Sequence, residues 1–228
     1  MSQETKKVIG VVPARKGSKG LQDKNIRSFA GKPLFQRAVE QGIRCCETCV
    51  ITTDITEIIE KFQMDGCNIL ERDASIASDT TPMSAVITDV IQKLKLGEEI
   101  IVLLQATSPL RKDKHILEAI ELYLSGNYDL VMSVREEDAS ILKSGFLSDG
   151  FFRGVVNQEF CFANRQDLPA VFKPNGAVYV FSSSWFLGNG GFSTERIGAV
   201  IMSPEHSLDI DNLSDFGRAE RLFRKMQT

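Results

Sequence analysis

The residues best suited to chemistry in this sequence form a basic loop near the N-terminus. The loop follows the first apolar run and reads Pro-Ala-Arg-Lys-Gly-Ser-Lys-Gly over residues 13–20, with Lys24 and Asn25 shortly after it. Its two glycines let the backbone approach a ligand closely, and neighbouring N–H groups can face an anion. Residues 15–27 carry a net charge of +4, which leaves −7 on the remainder of the chain. The loop therefore predicts a polyphosphate site, with a solvated basic loop as the alternative.

A pair of carboxylates near the C-terminus is the second chemical feature. Asp209 and Asp211 are two residues apart in an apolar context. On an extended segment, residues at this spacing point to one side, so the two carboxylates converge while Leu208 and Ile210 pack on the other side. Paired oxygen ligands suit Mg²⁺, which also bridges to substrate phosphates. The pair predicts a metal site, with a strand edge carrying two solvated acids as the alternative.

The composition excludes several classes of protein. A net charge of −3 argues against a general nucleic-acid coat protein. The basic loop has neither the Walker A pattern nor the Gly-x-Gly-x-x-Gly fingerprint, which counts against a P-loop NTPase and a nicotinamide oxidoreductase. The longest aliphatic run is Ile100–Leu104, far short of the roughly 20 residues that span a bilayer. We expect neither a nucleic acid nor a membrane as a partner.

The cysteines and the N-terminus indicate a reducing compartment. Five cysteines are an odd number, which fits free thiols better than a disulfide framework. The N-terminus lacks the apolar core of a signal peptide, so we expect a cytoplasmic protein. Cys45, Cys46 and Cys49 form a cluster, but no second pair follows and His115 and His206 lie far along the chain. Packing at a helix end is the favoured interpretation, with metal or redox use as the alternative.

The order of apolar runs predicts an α/β fold. Strands are expected at residues 8–12, 49–52, 68–70, 100–104, 129–134, 177–181 and 199–202. Helices are expected from Pro33 onward, at residues 53–64, 82–96 and 113–124, and from Asn212 onward, where Asp215 completes a capping pair. Alternation of this kind implies a mostly parallel sheet flanked by helices on both faces.

The middle of the chain breaks this rhythm. Residues 140–172 contain short, aromatic, irregular segments. We expect them to form a small β-rich lobe within a single domain that spans residues 1–228.

Five ordered motifs resemble those of the CMP-sialic acid synthetases, also called N-acylneuraminate cytidylyltransferases, of the bacterial type. No single motif is specific, but five in order from about residue 8 to the end make a strong signal. The motifs are Ala14-Arg-Lys-Gly-Ser-Lys-Gly20 with Lys24-Asn25, Thr52-Thr-Asp54, Gln105-Ala-Thr-Ser-Pro-Leu-Arg111, Arg165-Gln-x-x-Pro169 leading into Asn175-Gly-Ala-Val-Tyr179, and Ser207-Leu-Asp-Ile-Asp211.

The resemblance implies a fold, a reaction and an assembly. The implied fold is the Rossmann-like nucleotide-diphospho-sugar transferase fold with a small dimerisation lobe. The implied reaction joins CTP to a nine-carbon 2-keto sugar acid, a nonulosonic acid, and releases pyrophosphate. By the same resemblance the enzyme uses Mg²⁺ and is a homodimer, in which the lobe helps to complete the sugar site of the partner subunit.

The resemblance also assigns roles to individual residues. Arg15, Lys24 and Asp211 are implied to be catalytic, and Asp209 and Asp211 to hold the metal. The nucleotide-binding residues implied are Arg15, Ser18, Lys19, Lys24, Asn25, which would contact cytosine, and Arg72, for which a solvated surface charge is the alternative. The sugar-binding residues implied are Gln105, Lys143, Arg165 and Lys173.

Several alternatives remain open at the level of sequence. N-acetylneuraminate is the first-choice sugar acid, and legionaminic acid is the alternative. Lys173 stands where sialic-acid enzymes often have Arg, and a lysine cannot form the bidentate fork of a guanidinium. A Kdo cytidylyltransferase is less favoured because residues 18–22 lack the Ser-x-Arg-x-Pro pattern. A non-catalytic nucleotide-binding relative is opposed by the intact basic and acidic residues.

Overall fold

The computed structural model describes residues 6–18 and 20–227. The strands are β1 (Val8–Ala14), β2 (Ser28–Phe29), β3 (Lys32–Pro33), β4 (Thr48–Thr53), β5 (Cys67–Glu71), β6 (Ile100–Leu104), β7 (Leu130–Glu137), β8 (Gly145–Ser148), β9 (Phe151–Gly154), β10 (Val171–Ser182) and β11 (Ile197–Ile201). The α-helices are α1 (Leu34–Cys45), α2 (Thr56–Lys61), α3 (Met83–Leu94), α4 (Asp113–Leu124), α5 (Ser183–Asn189) and α6 (Leu213–Gln227).

Seven strands form the central sheet, in the order β11-β7-β10-β6-β1-β4-β5. β10 runs antiparallel to both neighbours, and the other adjacent pairs are parallel. The predicted α/β fold with a mostly parallel sheet is therefore confirmed. Two short hairpins, β2–β3 and β8–β9, stand apart from this sheet.

The central strand β6 shows why its sequence is continuously apolar. All five of its residues are buried. Ile100, Val102 and Leu104 pack into the core on one face, with residues of α1 and α4. Ile101 and Leu103 pack into the core on the other face, with residues of α3 and α5. A strand covered by helices on both faces needs apolar side chains at every position.

The boundaries of some predicted elements were wrong. The helix predicted at residues 53–64 is confined to α2, because Thr53 continues β4 and Ile55 and Phe62 have extended backbone at the two helix ends. The strand predicted at residues 177–181 is the second half of β10, which begins at Val171 and contains an irregularity between Pro174 and Tyr179.

The ends of α1 and α6 follow the predicted local chemistry. The helix α1 starts directly after Pro33. At the start of α6, the backbone N–H of Asp215 donates to Asn212 Oδ1 at 3.0 Å, and the N–H of Asn212 donates to Asp215 Oδ2 at 3.2 Å. This reciprocal pair satisfies two backbone donors that a helix start leaves without partners.

The cysteines near α1 pack around small residues. Cys49 on β4 is buried, and a Cβ at Gly42 would collide with its sulfur atom. Cys49 is aligned with Cys67 on the neighbouring strand β5. Burial raises the pKa of Cys46 to about 12, which keeps this thiol protonated and poorly nucleophilic at neutral pH.

Candidate active site

Residues predicted to bind the nucleotide meet one predicted to bind the sugar at the carboxyl ends of parallel strands. Arg15 follows β1, Arg72 follows β5 and Gln105 follows β6. These three residues line a cavity of about 170 Å³, together with Ser18, Lys24 and Asn25. In open α/β sheets, ligands bind at this edge. Lys19, which the resemblance also implied, lies outside the described residues.

Contacts from several elements hold the basic loop. The Asn25 side chain is buried, and its Nδ2 donates to the backbone oxygen of Arg15 at 2.9 Å. The backbone N–H of Lys16 donates to Asp54 Oδ1 at 2.8 Å, which ties the loop to the end of β4. The guanidinium of Arg15 donates to the backbone oxygen of Gly17 at 3.1 Å and pairs with Asp79. These contacts tie the loop to β4 and to the segment around Asp79.

Arg72 is a buried residue, so its interpretation as a solvated surface charge is wrong. The side chain is 4% exposed, and burial lowers the pKa of its guanidinium. Nη2 donates to the backbone oxygen of Thr52 at 2.7 Å, and Nε donates to Thr52 Oγ1 at 3.3 Å. These contacts fix the guanidinium in the wall of the cavity, where it is partly desolvated and available to a polar ligand.

The two aspartates lie on the segment that precedes α6. Leu208 and Ile210 are buried among core residues, whereas Asp209 and Asp211 line a second cavity, of about 480 Å³. This is the alternation that the sequence predicts for an extended segment. The backbone N–H of Ile210 donates to the backbone oxygen of Thr107 at 2.9 Å, which anchors the segment beside the end of β6.

Asp209 and Asp211 differ in their surroundings. Burial raises the pKa of Asp209, and the nearby negative charge of Asp211 adds to the rise, whereas a hydrogen bond from the Thr107 side chain and the charge of Lys24 oppose it. The Oδ1 atom of Asp209 is buried and has no hydrogen-bond partner among the described residues. The Asp211 side chain is 75% exposed. A buried carboxylate oxygen without a partner fits a divalent cation, because a cation supplies the charge and the ligand that the oxygen lacks.

The basic loop and the acidic segment are in direct contact. Lys24 Nζ donates to the backbone oxygen of Ile210 at 2.6 Å and to Asp211 Oδ1 at 3.3 Å. A Cβ at Gly20 would collide with the backbone oxygen of Asp211. Only glycine therefore allows the observed approach of the two segments. The contact places Lys24, which is predicted to bind phosphate, next to the carboxylate pair.

Asn175 and Arg111 support the acidic segment and Gln105 from behind. The buried Asn175 Nδ2 donates to Ser207 Oγ at 3.0 Å, which joins the irregular part of β10 to the segment with the aspartates. Arg111 donates to the backbone oxygens of Gln105 at 3.2 Å and Ala177 at 2.6 Å. Burial lowers the pKa of Arg111 to about 10, so the guanidinium is still cationic at neutral pH.

The second cavity contains both predicted and unexpected residues. Gln105 borders both cavities, and Lys173 lies in the second one as the resemblance implies. Arg135, Tyr179 and Arg218 also line it, and sequence reasoning did not single them out as site residues. Arg135 is brought there by its alignment with Lys173 on the neighbouring strand, a long-range pairing that the sequence does not show, and Arg218 lies on a polar helix face that carries no distinctive signal.

Lys143 and Arg165 are not brought to either cavity. Lys143 ends a short 3₁₀ helix in the lobe. Arg165 is exposed and pairs with Asp138 at 2.8 Å. Within one described chain, neither residue lines the cavities that hold the other predicted site residues. Their role toward the sugar stays a prediction that depends on a second subunit.

A further cavity, of about 570 Å³, lies between α1, the start of α4 and the end of α6. Its arginines are already engaged: Arg44 pairs with Asp113 at 2.6 Å, and Arg37 donates to the backbone oxygen of Phe29 at 2.8 Å. Its lining includes none of the residues that the motifs single out for catalysis. The two cavities that share Gln105 are therefore the candidate active site.

Comparison with solved structures identifies the fold class. The structure of CMP:2-keto-3-deoxy-manno-octonic acid synthetase in complex with CTP superposes with a TM-score of 0.71, at 14% sequence identity. The match covers 96% of this chain and 99% of that one. The chain thus has a nucleotidyltransferase fold, and at this level of identity the likeness concerns the fold alone.

Comparison of sequences identifies the family. The cytidylyltransferase family model matches residues 9–185, so the chain belongs to the cytidylyltransferase family. It is 35% identical over 216 residues to the N-acylneuraminate cytidylyltransferase of Streptococcus agalactiae, covering 92% of this chain and 52% of that protein. It is 28% identical to the CMP-N,N'-diacetyllegionaminic acid synthase of Legionella pneumophila, covering 97% and 98%. The chain thus spans about half the length of the Streptococcus relative.

Among the described residues, no helix combines the length and the apolar character that crossing a membrane requires.

Proposed function

We propose that this protein transfers the CMP moiety of CTP to a nonulosonic acid and releases pyrophosphate. The observation that carries the proposal is the contact between the basic loop and the acidic segment through Lys24 and Gly20. Cations for a triphosphate and carboxylates for a divalent metal then lie on two sides of one reaction site. The names of the Streptococcus and Legionella relatives support this class of substrate.

Each side of the site has a separate task in the proposed mechanism. Arg15 and Lys24 hold the triphosphate and stabilise the charge that builds up on the departing pyrophosphate. Ser18, Asn25 and Arg72 line the cavity for the nucleotide. Gln105 borders both cavities and orients the sugar acid toward the α-phosphorus. The anomeric hydroxyl of the sugar attacks in line, and no nucleophilic side chain is required.

Asp209 and Asp211 would hold Mg²⁺ in this proposal. Both carboxylates line the cavity next to Lys24, and the buried oxygen of Asp209 has no hydrogen-bond partner among the described residues. When bound, Mg²⁺ would neutralise phosphate charge and lower the pKa of the attacking hydroxyl.

We propose N-acetylneuraminate as the preferred sugar acid, with legionaminic acid as the second candidate. The higher identity to the N-acylneuraminate enzyme, 35% against 28%, favours this order.

Free cysteines, as found here for all five, support a cytoplasmic location.

A homodimer completes the proposal. The lobe exposes large apolar side chains to solvent in a single chain, among them Phe146, Leu147, Phe151 and Phe162, which are 69%, 76%, 69% and 84% exposed. Exposed apolar groups that cluster in this way mark interaction surfaces. A second copy that covers the lobe would also bring Lys143 and Arg165 to the site of its partner.

Pyrophosphate release tests the proposed function. The enzyme is incubated with CTP, Mg²⁺ and a panel of N-acetylneuraminate, legionaminic, pseudaminic and Kdo acids. We expect release to depend on a nonulosonic acid and to be fastest with N-acetylneuraminate. Faster turnover of legionaminic acid would overturn only the preferred substrate, whereas activity with Kdo alone, or with none of these acids, would overturn the proposed reaction.

A further inference from the structure

The larger cavity of the candidate site contains cations that differ in whether they are already neutralised. Three basic residues line it: Arg135, Lys173 and Arg218. Arg135 donates from Nε to Glu137 Oε1 at 2.8 Å and pairs through Nη2 with the same oxygen at 2.6 Å. Its charge is therefore already paired within the chain.

Lys173 and Arg218 are the cations of this cavity left for a ligand. Neither side chain has a hydrogen bond or an ion pair with any residue in the part of the chain that the structure describes. They approach the cavity from different elements, Lys173 from β10 and Arg218 from α6. Asp209, Asp211 and Asp215 line the same cavity, so the two cations without a partner are its groups suited to the negatively charged part of a ligand.

The packing of α6 fixes where Arg218 points. Phe216 and Ala219 on the same helix are buried, and the Phe216 ring packs edge-on against Phe29 with centroids 5.7 Å apart. Asp215, three residues before Arg218 and thus on the same side of the helix, lines the same cavity. The helix therefore presents Arg218 to the ligand space while its opposite face is anchored in the core.

We infer that Arg218 binds the carboxylate of the sugar acid and thereby selects acids over neutral sugars. The inference rests on the proposed function. The carboxylate is attached to the carbon that carries the attacking hydroxyl, so its negative charge opposes approach to the triphosphate. A guanidinium offers two parallel donors to a carboxylate, which the ammonium of Lys173 cannot do. Arg218 lines the sugar cavity and not the smaller cavity beside the basic loop, so it acts on the acid and not on the nucleotide.

Steady-state kinetics of Arg218→Gln test the inference, with Arg221→Gln as the matched control. Arg221 lies on the same helix but does not line the cavity. We expect Arg218→Gln to raise the KM for the sugar acid about 10- to 100-fold, the range set by losing a charged hydrogen bond, with the KM for CTP unchanged. Arg218→Lys should recover part of the loss, because it restores the charge without the fork. The control should resemble the wild type.

Inhibition by non-reactive analogues separates a contact with the carboxylate from a structural effect. The probes are the 2-deoxy form of the sugar acid, which lacks the attacking hydroxyl, and its C1 amide, which lacks the charge. The wild type should bind the acid more tightly than the amide, and Arg218→Gln should lose this discrimination. Equal weakening of both probes, or a raised KM for CTP, would overturn the inference.

The outcomes also separate this inference from the proposed function. If the wild type turns over a nonulosonic acid while Arg218→Gln behaves like Arg221→Gln, the function stands and the inference fails. If the wild type turns over no nonulosonic acid, the proposed function fails and the inference fails with it. Melting temperatures of the variants within about 2 °C of the wild type would show that the helix is intact, as expected for exposed substitutions.

Discussion

The central sheet and the lobe differ in how far their apolar side chains are buried. Every residue of β6 is buried, whereas no residue between positions 139 and 170 is buried in a single chain. The central strand buries its apolar groups internally, and the predicted site residues Arg15, Arg72 and Gln105 follow the ends of β1, β5 and β6. The lobe leaves aromatic residues such as Phe162 in solvent. The contrast indicates that the lobe is built to pack against another surface.

The largest expected loss of activity comes from a substitution in the site at the edge of the central sheet. Asp211→Asn removes a carboxylate from the proposed metal pair, and stabilisation of phosphate charge by a metal is worth several kcal/mol. We expect turnover to fall about 10³-fold or more, with the circular dichroism spectrum and melting temperature preserved. The measurement is pyrophosphate release at saturating substrates.

Asp65→Asn serves as the matched control, because Asp65 is exposed in a loop remote from both cavities. Near-normal turnover by Asp211→Asn would contradict the assignment of the metal pair, whatever the behaviour of the control.

The next largest effect should fall on the lobe. A double variant, Phe151→Asp with Phe162→Asp, places charges on the exposed apolar surface. We expect the protein to change from dimer to monomer, as measured by sedimentation velocity, and activity to fall because Lys143 and Arg165 no longer reach a partner site. Leu124→Asp is the control, because Leu124 is likewise an exposed apolar residue, at 60%, but lies on α4 outside the lobe. A wild type that is monomeric at assay concentrations would refute the proposed dimer.

A smaller loss of activity is expected at the contact between the loop and the acidic segment. Gly20→Ala forces Asp211 or the loop to shift, because the added methyl group overlaps the Asp211 carbonyl. We expect kcat to fall about 10-fold, as small misplacements of catalytic groups are costly. Gly97→Ala, where a Cβ meets nothing within 4 Å, is the control. Equal activity of the two variants would show that the close approach is not needed for catalysis.

The smallest expected effect is on how the free energy of unfolding changes with pH, and it depends on the buried residue His115. Burial, the nearby His206 and surrounding cations lower the pKa of His115 to about 4. The unfolded chain therefore takes up a proton first as the pH falls below about 6.5, and the stability contributed by neutral His115 is lost between there and pH 4. Urea unfolding at pH 7.5 and pH 5 should show the wild type losing about 2 kcal/mol more than His115→Gln. Parallel losses in both proteins would contradict this explanation.

The elements of the central sheet that have local sequence signals were predicted better than those that depend on long-range pairing. Continuous apolar runs such as β6 and the capping pair of Asn212 and Asp215 are local signals, and local signals can be read from neighbouring residues. The full length of β10 could not be read in this way. Its first half contains Pro174 and Gly176, which normally interrupt a strand, and only the long-range pairing with β7 makes it one.

The candidate site shows the same difference between local and long-range signals. The basic loop and the aspartates could be identified from their spacing and their resemblance to known motifs. Their direct contact could not, because Lys24 and Ile210 are separated by 186 positions in the chain and meet only through the fold. The position of Arg218 is likewise a product of how α6 packs on Phe29. The roles predicted for Lys143 and Arg165 require the proposed second subunit, which one chain does not specify.

Transfer of labelled phosphorus tests the central claim most directly. CTP labelled at the α-phosphorus is incubated with Mg²⁺ and N-acetylneuraminate, and the products are separated and identified. A cytidylyltransferase moves the α label into a CMP-sugar, and a γ label leaves in pyrophosphate. We predict that CMP-sugar and pyrophosphate form in equal molar amounts. Label that stays in CTP, or that appears in free CMP or orthophosphate without a sugar product, would contradict the account.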